Sequence, residues 1–231
     1  TAILNLTINQ ADTSYTNITA CDSIIWNGNT YNSSGTYSTE SSNNSSMSFN
    51  GSSDHILVAG NNLNPSSITI MMSIKITGSS TYAWQSLIDK RPNFGLGGYG
   101  LEINSSGGYY NFALGTGNSY VSVSSGALVG VWQNVTATYD GSFLTLYIDG
   151  QQVASTVYQN GIISNNDPLS IGSRLNDNFF NGELDNIAIW DYALSETEIQ
   201  QYFQCPLTGS ETGLVGYWNF EEGSGTTAFD Q

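Results

Sequence analysis

Between Ile68 and Ile76 apolar and polar side chains alternate with a period of two. Ile68, Ile70, Met72, Ile74 and Ile76 fall on one face, and Thr69, Ser73 and Lys75 on the other. Successive side chains of an extended strand point to opposite sides, so the pattern predicts a strand with one face in a core. The same alternation recurs at Tyr99/Leu101/Ile103, Tyr110/Phe112/Leu114, Val131/Val135/Ala137/Tyr139 and Leu144/Leu146/Ile148. Turn signals at Gly107-Gly108, Gly115 to Asn118, Asp140-Gly141 and Asp149-Gly150 separate the runs. Such strands without intervening helices predict an all-β, two-sheet antiparallel jelly-roll sandwich. One short C-terminal helix is expected, with a Ser195/Glu198 capping box, an apolar stripe of Ile199, Tyr202 and Phe203, and a stop at Cys205-Pro206.

The flanks are patterned differently. Residues Ala2 to Ile8 read as a strand, residues 21–37 carry the aromatic, Thr and Asn-Gly signature of a small hairpin, and residues 38–46 are a Ser/Asn-rich linker. Residues Gly213 to Phe220 read as a further strand.

Composition narrows the function classes. Charged residues make up 10% of 231, so Ser, Thr, Asn and Gly must cover the surface. With 14 Tyr and 5 Trp, such a surface suits an extracellular β protein that meets neutral polar ligands. The net charge is −15, and the fixed cations are Lys75, Lys90, Arg91 and Arg174. Nucleic acid and anionic membranes need basic clusters that this sequence lacks. Cations are favoured, calcium above all, although acidity also serves solubility alone. No run of ~18 apolar residues is present, so no helix is expected to insert in a membrane. The chain opens inside a strand-like segment without a signal peptide, as an excised piece would. Cys21 and Cys205 are expected to form one disulfide in an exported protein, worth at most ~4–5 kcal/mol on the loop-entropy view; two separate thiols are the alternative.

Several segments resemble one family in its order. They are Ser48-Phe49-Asn50-Gly51-Ser52-Ser53-Asp54-His55-Ile56, Trp132 to Gly141, Leu144 to Gly150, Ile171-Gly172-Ser173, Phe180 to Ile187, and Ala193 to Ile199. Together they resemble bacterial laminin-G-like, concanavalin A-like domains over about residues 46–204. Residues 21–37 resemble a short repeat of long surface proteins from Bacteroidetes-like bacteria, and Gly213 to Asp230 resembles the first strand of another laminin-G-like domain. The implied organisation is a flanking segment at 1–45, the jelly-roll domain at 46–206, and a tail at 207–231 that either completes this domain or begins the next. The resemblance also implies a structural calcium held by Asp54, Asp185 and Asn50. Asn50 stands where the family more often has Asp, which weakens the site; the alternative is that these residues only cap turns and strand ends.

A sugar site needs an aromatic platform beside amide and hydroxyl groups. Trp84, Tyr82, Tyr109, Asn178 and Phe179 lie near predicted turns and are the candidates, with Tyr120 close to another turn. Each could equally be a core or rim aromatic. Trp132, Tyr139 and Trp190 fall inside strand motifs and are expected in the core. A glycosidase of this architecture would carry Glu-x-Asp-x-x-Glu, but Glu183-Leu184-Asp185-Asn186-Ile187-Ala188 ends on Ala188. His55 has no Gly-x-Ser-x-Gly partner, so a hydrolase triad is not expected. The expected protein is a monomeric, non-catalytic carbohydrate-binding module. It would be secreted or at the cell surface, within an adhesin or an exported polysaccharide-degrading protein, beside neighbouring domains of one long chain. A spacer or protein-binding module is the alternative, and a glycoside hydrolase the weaker one.

Overall fold

The computed structural model describes residues 24–26, 29–31, 45–58, 63–79, 81–91, 96–104, 108–222 and 227–231. Its strands are β1 (Ile24–Trp26), β2 (Asn29–Tyr31), β3 (Met47–Asn50), β4 (Ile56–Val58), β5 (Ile68–Ile76), β6 (Trp84–Asp89), β7 (Tyr99–Asn104) and β8 (Tyr109–Gly115). They continue as β9 (Tyr120–Gly126), β10 (Trp132–Tyr139), β11 (Phe143–Ile148), β12 (Gln151–Val157), β13 (Leu169–Ile171) and β14 (Asn181–Trp190); helix α1 (Glu196–Gln204) and β15 (Leu214–Trp218) follow. The expected strand at Ala2 to Ile8 lies outside the described residues.

Two antiparallel sheets form the sandwich. One runs β12-β11-β10-β5-β14-β15, with β3 also on β14, and the other runs β4-β13-β6-β7-β8-β9; β1 and β2 pair separately. The inward row of β5, Ile68 to Ile76, is buried and packs in one core with Tyr99, Leu101 and Ile103 of β7 and Tyr110, Phe112 and Leu114 of β8. Each such aliphatic side chain taken from water contributes ~1.5–3 kcal/mol. The alternation seen in the sequence is thus the alternation between core and outer face.

Strand β14 breaks the period, with large consequences. Asp185 lies opposite Ser73, but Ala188 rather than Ile187 lies opposite Met71. The extra residue is a bulge, at which Asn186 adopts φ 49°. A one-residue insertion reverses which face later side chains occupy. Glu183 and Asp185 therefore point outward, Ile187 and Ile189 join the core, and Ala188 and Trp190 turn outward beneath α1.

Helix α1 covers part of that outer face. Its Ile199 packs with Met71, Tyr147, Ala188, Trp190, Leu194 and Tyr217. Ser195 caps its N-terminus, accepting from the Glu198 N–H while the Glu198 side chain accepts from the Ser195 N–H. One edge of β14 is shared by two strands, β3 along Asn181 to Leu184 and β15 along Ile187 to Trp190. The tail thus supplies a strand of this sheet and buries Tyr217, Trp218 and Phe220.

Candidate functional site

Where α1 stops covering the seven-stranded sheet, a groove of about 590 Å³ opens. Its floor is a grid of outward side chains on β10, β5 and β14. In one rung Trp132 and Glu183 both lie opposite Lys75; in the next, Asn134 and Asp185 both lie opposite Ser73. Asp149, Asn186, Ser46, Gln133 and Phe203 complete the lining. Asp149 stands in the β11–β12 turn, where its carboxylate accepts from the Asn134 N–H at 2.8 Å. Phe203, near the end of α1, sits against Gly150 of the same turn, where an added Cβ would come within 3.2 Å of the ring. Trp132 and Phe203 are each 42% exposed. Two accessible aromatics therefore flank a floor of amide, hydroxyl and carboxylate groups.

The charges in the groove are unequal in their surroundings. Lys75 donates to Glu183 at 2.9 Å and Ser46 donates to it at 3.0 Å. The Lys75 hydrogen bond leads in holding the Glu183 carboxyl below its usual range, against the opposing effect of burial. The Lys75 ammonium also lies 5.9 Å from the centre of the Trp132 ring, within cation–π range. Asp185 is 4% exposed. Burial pushes its pKa up to about 6, with the nearby Glu221 adding to this and the Asn186 N–H opposing it. Asn186 donates to both Asp185 oxygens, from its backbone at 2.7 Å and its amide at 2.9 Å, and accepts from Tyr217.

Trp132 corrects a sequence expectation, since it is not in the core. The parity of β10 places it: Val135, Ala137 and Tyr139 face inward, so even-numbered positions on β10 face outward. Phe203 belongs to the predicted helix stripe, and nothing in the sequence marks it for a ligand role. Tyr139 and Trp190 are buried as expected, Trp190 beneath α1 rather than between the sheets.

Four of the five expected sugar-site residues form two aromatic pairs outside the groove, and the fifth, Asn178, precedes Phe179 in the chain. Trp84 and Tyr109 meet edge to face at 5.7 Å, and both belong to the outer face of the six-stranded sheet. Tyr82 packs on Phe179 at 6.2 Å, and His55 packs on Phe179 at 5.9 Å. Tyr109 is exposed, Tyr82 and Trp84 are half-buried, and Asn178 and Phe179 are buried. Asn178 adopts φ 53° in a turn whose carbonyl accepts from the Ser86 N–H. The pairs make a partly exposed aromatic ridge. The outer face that carries Trp84 and Tyr109 also carries Glu102 and Asn111, but these are buried and bonded to each other, Asn111 donating to Glu102 and accepting from Ser124.

The three expected calcium ligands are not brought together. Asn50 lies opposite Asn181, and Asp185 is four residues further along β14, ~13 Å at the rise of a strand. One ion with oxygen ligands at ~2.3–2.6 Å cannot bridge that gap. Asn50 and Asp54 do meet, but in a closed turn. The Asn50 amide oxygen accepts from the Ser52 and Ser53 N–H groups, and Asp54 accepts from the Asn50 backbone and amide. As they stand, these donors do not fit one calcium. Among the described residues, no cluster of three His, Cys, Asp or Glu is placed to hold a metal. Cys205, the C-cap of α1, is disulfide-bonded, and Cys21 lies outside the described residues.

Comparisons with known proteins agree on the fold. A candidate carbohydrate-binding protein from Bacteroides ovatus superposes with a TM-score of 0.60 at 18% identity, over 78% of this chain and 54% of that one. Domain 4 of a GH43 extracellular arabinanase from Geobacillus stearothermophilus, solved with arabinotriose, gives 0.56 at 16% identity, over 69% and 76%. A SAP-like pentraxin from Limulus polyphemus gives 0.55 at 17% identity, over 80% and 91%. Among curated relatives, mouse pappalysin-1 is 38% identical over 80 residues; the match spans 31% of this chain and only 5% of that protein. The sequence profile of the concanavalin A-like lectin/glucanases superfamily, in its laminin-G branch, matches residues 50–200, well over half of the chain. This chain is a member of that superfamily.

Proposed function

We propose that this domain is a non-catalytic, extracellular carbohydrate-binding module, and that a sugar chain lies in the groove between Trp132 and Phe203. The observation that carries the reading is the pairing of two exposed aromatics with the Asn134, Ser73 and Asn186 side chains in one groove. A sugar ring has an apolar face that can lie on an aromatic ring and a rim of hydroxyls that exchange hydrogen bonds with amides and carboxylates. Relatives described as carbohydrate-binding, or solved with an oligosaccharide, support this ligand class. The parent would be a surface adhesin or an exported polysaccharide-degrading protein.

Glycosidase chemistry is the reading with one favouring feature, two outward carboxyls on β14 with opposite pKa shifts. Such a split marks acid and base partners in many sites. Here Glu183 is tied to Lys75 and Ser46, and Asp185 is buried against Asn186, so neither is presented to a glycosidic bond. A scaffold calcium is no part of the proposal, since Asn50, Asp54 and Asp185 do not form one ligand set.

A glycan array followed by calorimetry tests the reading. Trp132→Ala and Phe203→Ala should each lower affinity about tenfold or more, while Trp84→Ala changes it less than twofold, as about 1.4 kcal/mol per tenfold measures it. Loss of binding in Trp84→Ala alone would move the site to the ridge. An empty array from folded protein would favour a spacer or protein-binding module.

A further inference from the structure

We infer that the groove selects glycans that carry free amines, such as deacetylated hexosamine chains, over acetylated or uronate-bearing ones. The inference rests on the glycan reading of the groove and concerns only the charge of the sugar. Three carboxylates line the site: Asp149, Glu183 and Asp185. One cation, Lys75, stands among them and is matched to Glu183. Asp149 accepts from a backbone N–H and Asp185 from Asn186, so neither carboxylate is matched to a positive charge.

The other cations of the chain are committed elsewhere. Arg91 is buried between Asp89 and Glu102, with Glu102 at 2.8 Å. Lys90 donates to Asn165 and to the Asp167 carbonyl, and Arg174 faces Asp177 at 3.9 Å. A uronate or sulfate ester would therefore enter the groove with no unmatched cation to meet it and the exposed Asp149 carboxylate beside it.

An ammonium group meets the opposite situation. It would find the exposed Asp149 carboxylate as a charge partner and the exposed ring of Trp132 as a cation-accepting surface. The ring already draws one ammonium, that of Lys75, to 5.9 Å. That contact follows from the register, in which Lys75 lies opposite both Trp132 and Glu183, and it shows that the ring accommodates an ammonium beside it.

Titration calorimetry with three tetrasaccharides tests the inference: a glucosamine tetramer, its fully N-acetylated counterpart, and a galacturonate tetramer. Chelator and a mildly acidic, low-salt buffer keep divalent ions away and the amines protonated. The amine tetramer should bind about tenfold tighter than the acetylated one, with the gap narrowing as salt is added. The galacturonate should bind at least tenfold weaker than either. Asp149→Asn keeps an acceptor for the Asn134 N–H and tolerates the backbone φ of 50°; it should shrink the amine preference to about threefold. Acetylated or uronate chains binding as tightly as the amine would overturn the inference while leaving the glycan reading intact. Tetralysine competing as well as the amine tetramer would also overturn it, reducing the effect to bare charge. Failure of all three sugars, together with an empty array, would sink the glycan reading itself.

Discussion

At the scale of single residues, Asp185 joins local structure to pH response. It sits at the bulge of β14, buried, where water no longer supports its charge, and its pKa rises to about 6 from the ordinary 3.8. A carboxyl whose folded pKa is raised stabilises the fold fully below its unfolded value and loses that contribution as pH rises through its folded value. Asp185 therefore favours folding below about pH 4 and opposes it above about pH 6. A rise of that size corresponds to roughly 3 kcal/mol at most. Asp185→Asn removes the charge but sets its amide against that of Asn186, so a net gain of about 1–2 kcal/mol at pH 8 is expected. Denaturant melts of both proteins from pH 4 to 8 should show curves that converge at the acid end. A variant weaker than the parent at pH 8 would mean that the ionised carboxylate is needed for the bulge.

At the scale of elements, legibility follows periodicity. Strand β5 is readable because its inward row is purely apolar over nine residues, Met71 being the one apolar side chain of its outer row. The Ser195/Glu198 box and Ile199 locate α1 for the same reason: pattern and cap agree. Strand β14 is not readable as a surface element. Its bulge at Asn186 changes the parity, and period-two reasoning places Asp185 and Ile187 on one face when they lie on opposite ones. That break hides the groove, and so does reading Trp132 as a core residue, although the parity of β10 is visible in the sequence. Trp84 and Tyr82 stand out in the sequence for lying near turns, which says nothing of whether polar groups converge on them. Strand β15 shows a different limit: the sequence marks Gly213 to Phe220 as a strand, but its pairing with β14, a contact distant in sequence, is set by tertiary packing. Trp218 is buried while Val215 is exposed, so Trp218→Ala should cost about 3–5 kcal/mol and Val215→Ser less than about 0.5 kcal/mol. Urea titrations of the two variants check this, and equal small losses would detach the tail from this sheet.

At the scale of the whole molecule, charge dominates. Nineteen acidic residues against four basic ones make the folded chain repel itself more than the expanded one, and salt should screen that repulsion. Moving from low to physiological ionic strength should raise Tm by about 2–4 °C, the equivalent of about 1 kcal/mol for a chain of this size. The same argument separates a true calcium site from a diffuse atmosphere of cations. A site with its own ligands stabilises by mass action well beyond ionic strength. The Asn50–Asp54 turn has one carboxylate, and its amide oxygen is already taken by backbone N–H groups. Calcium should therefore do no more than sodium at matched ionic strength, within about 1 °C, and chelation should leave both Tm and glycan affinity unchanged. A larger, saturable rise with calcium, lost in Asp54→Asn, would show that the turn opens to bind the ion. The sandwich would then owe part of its stability to a site that its own hydrogen bonds conceal.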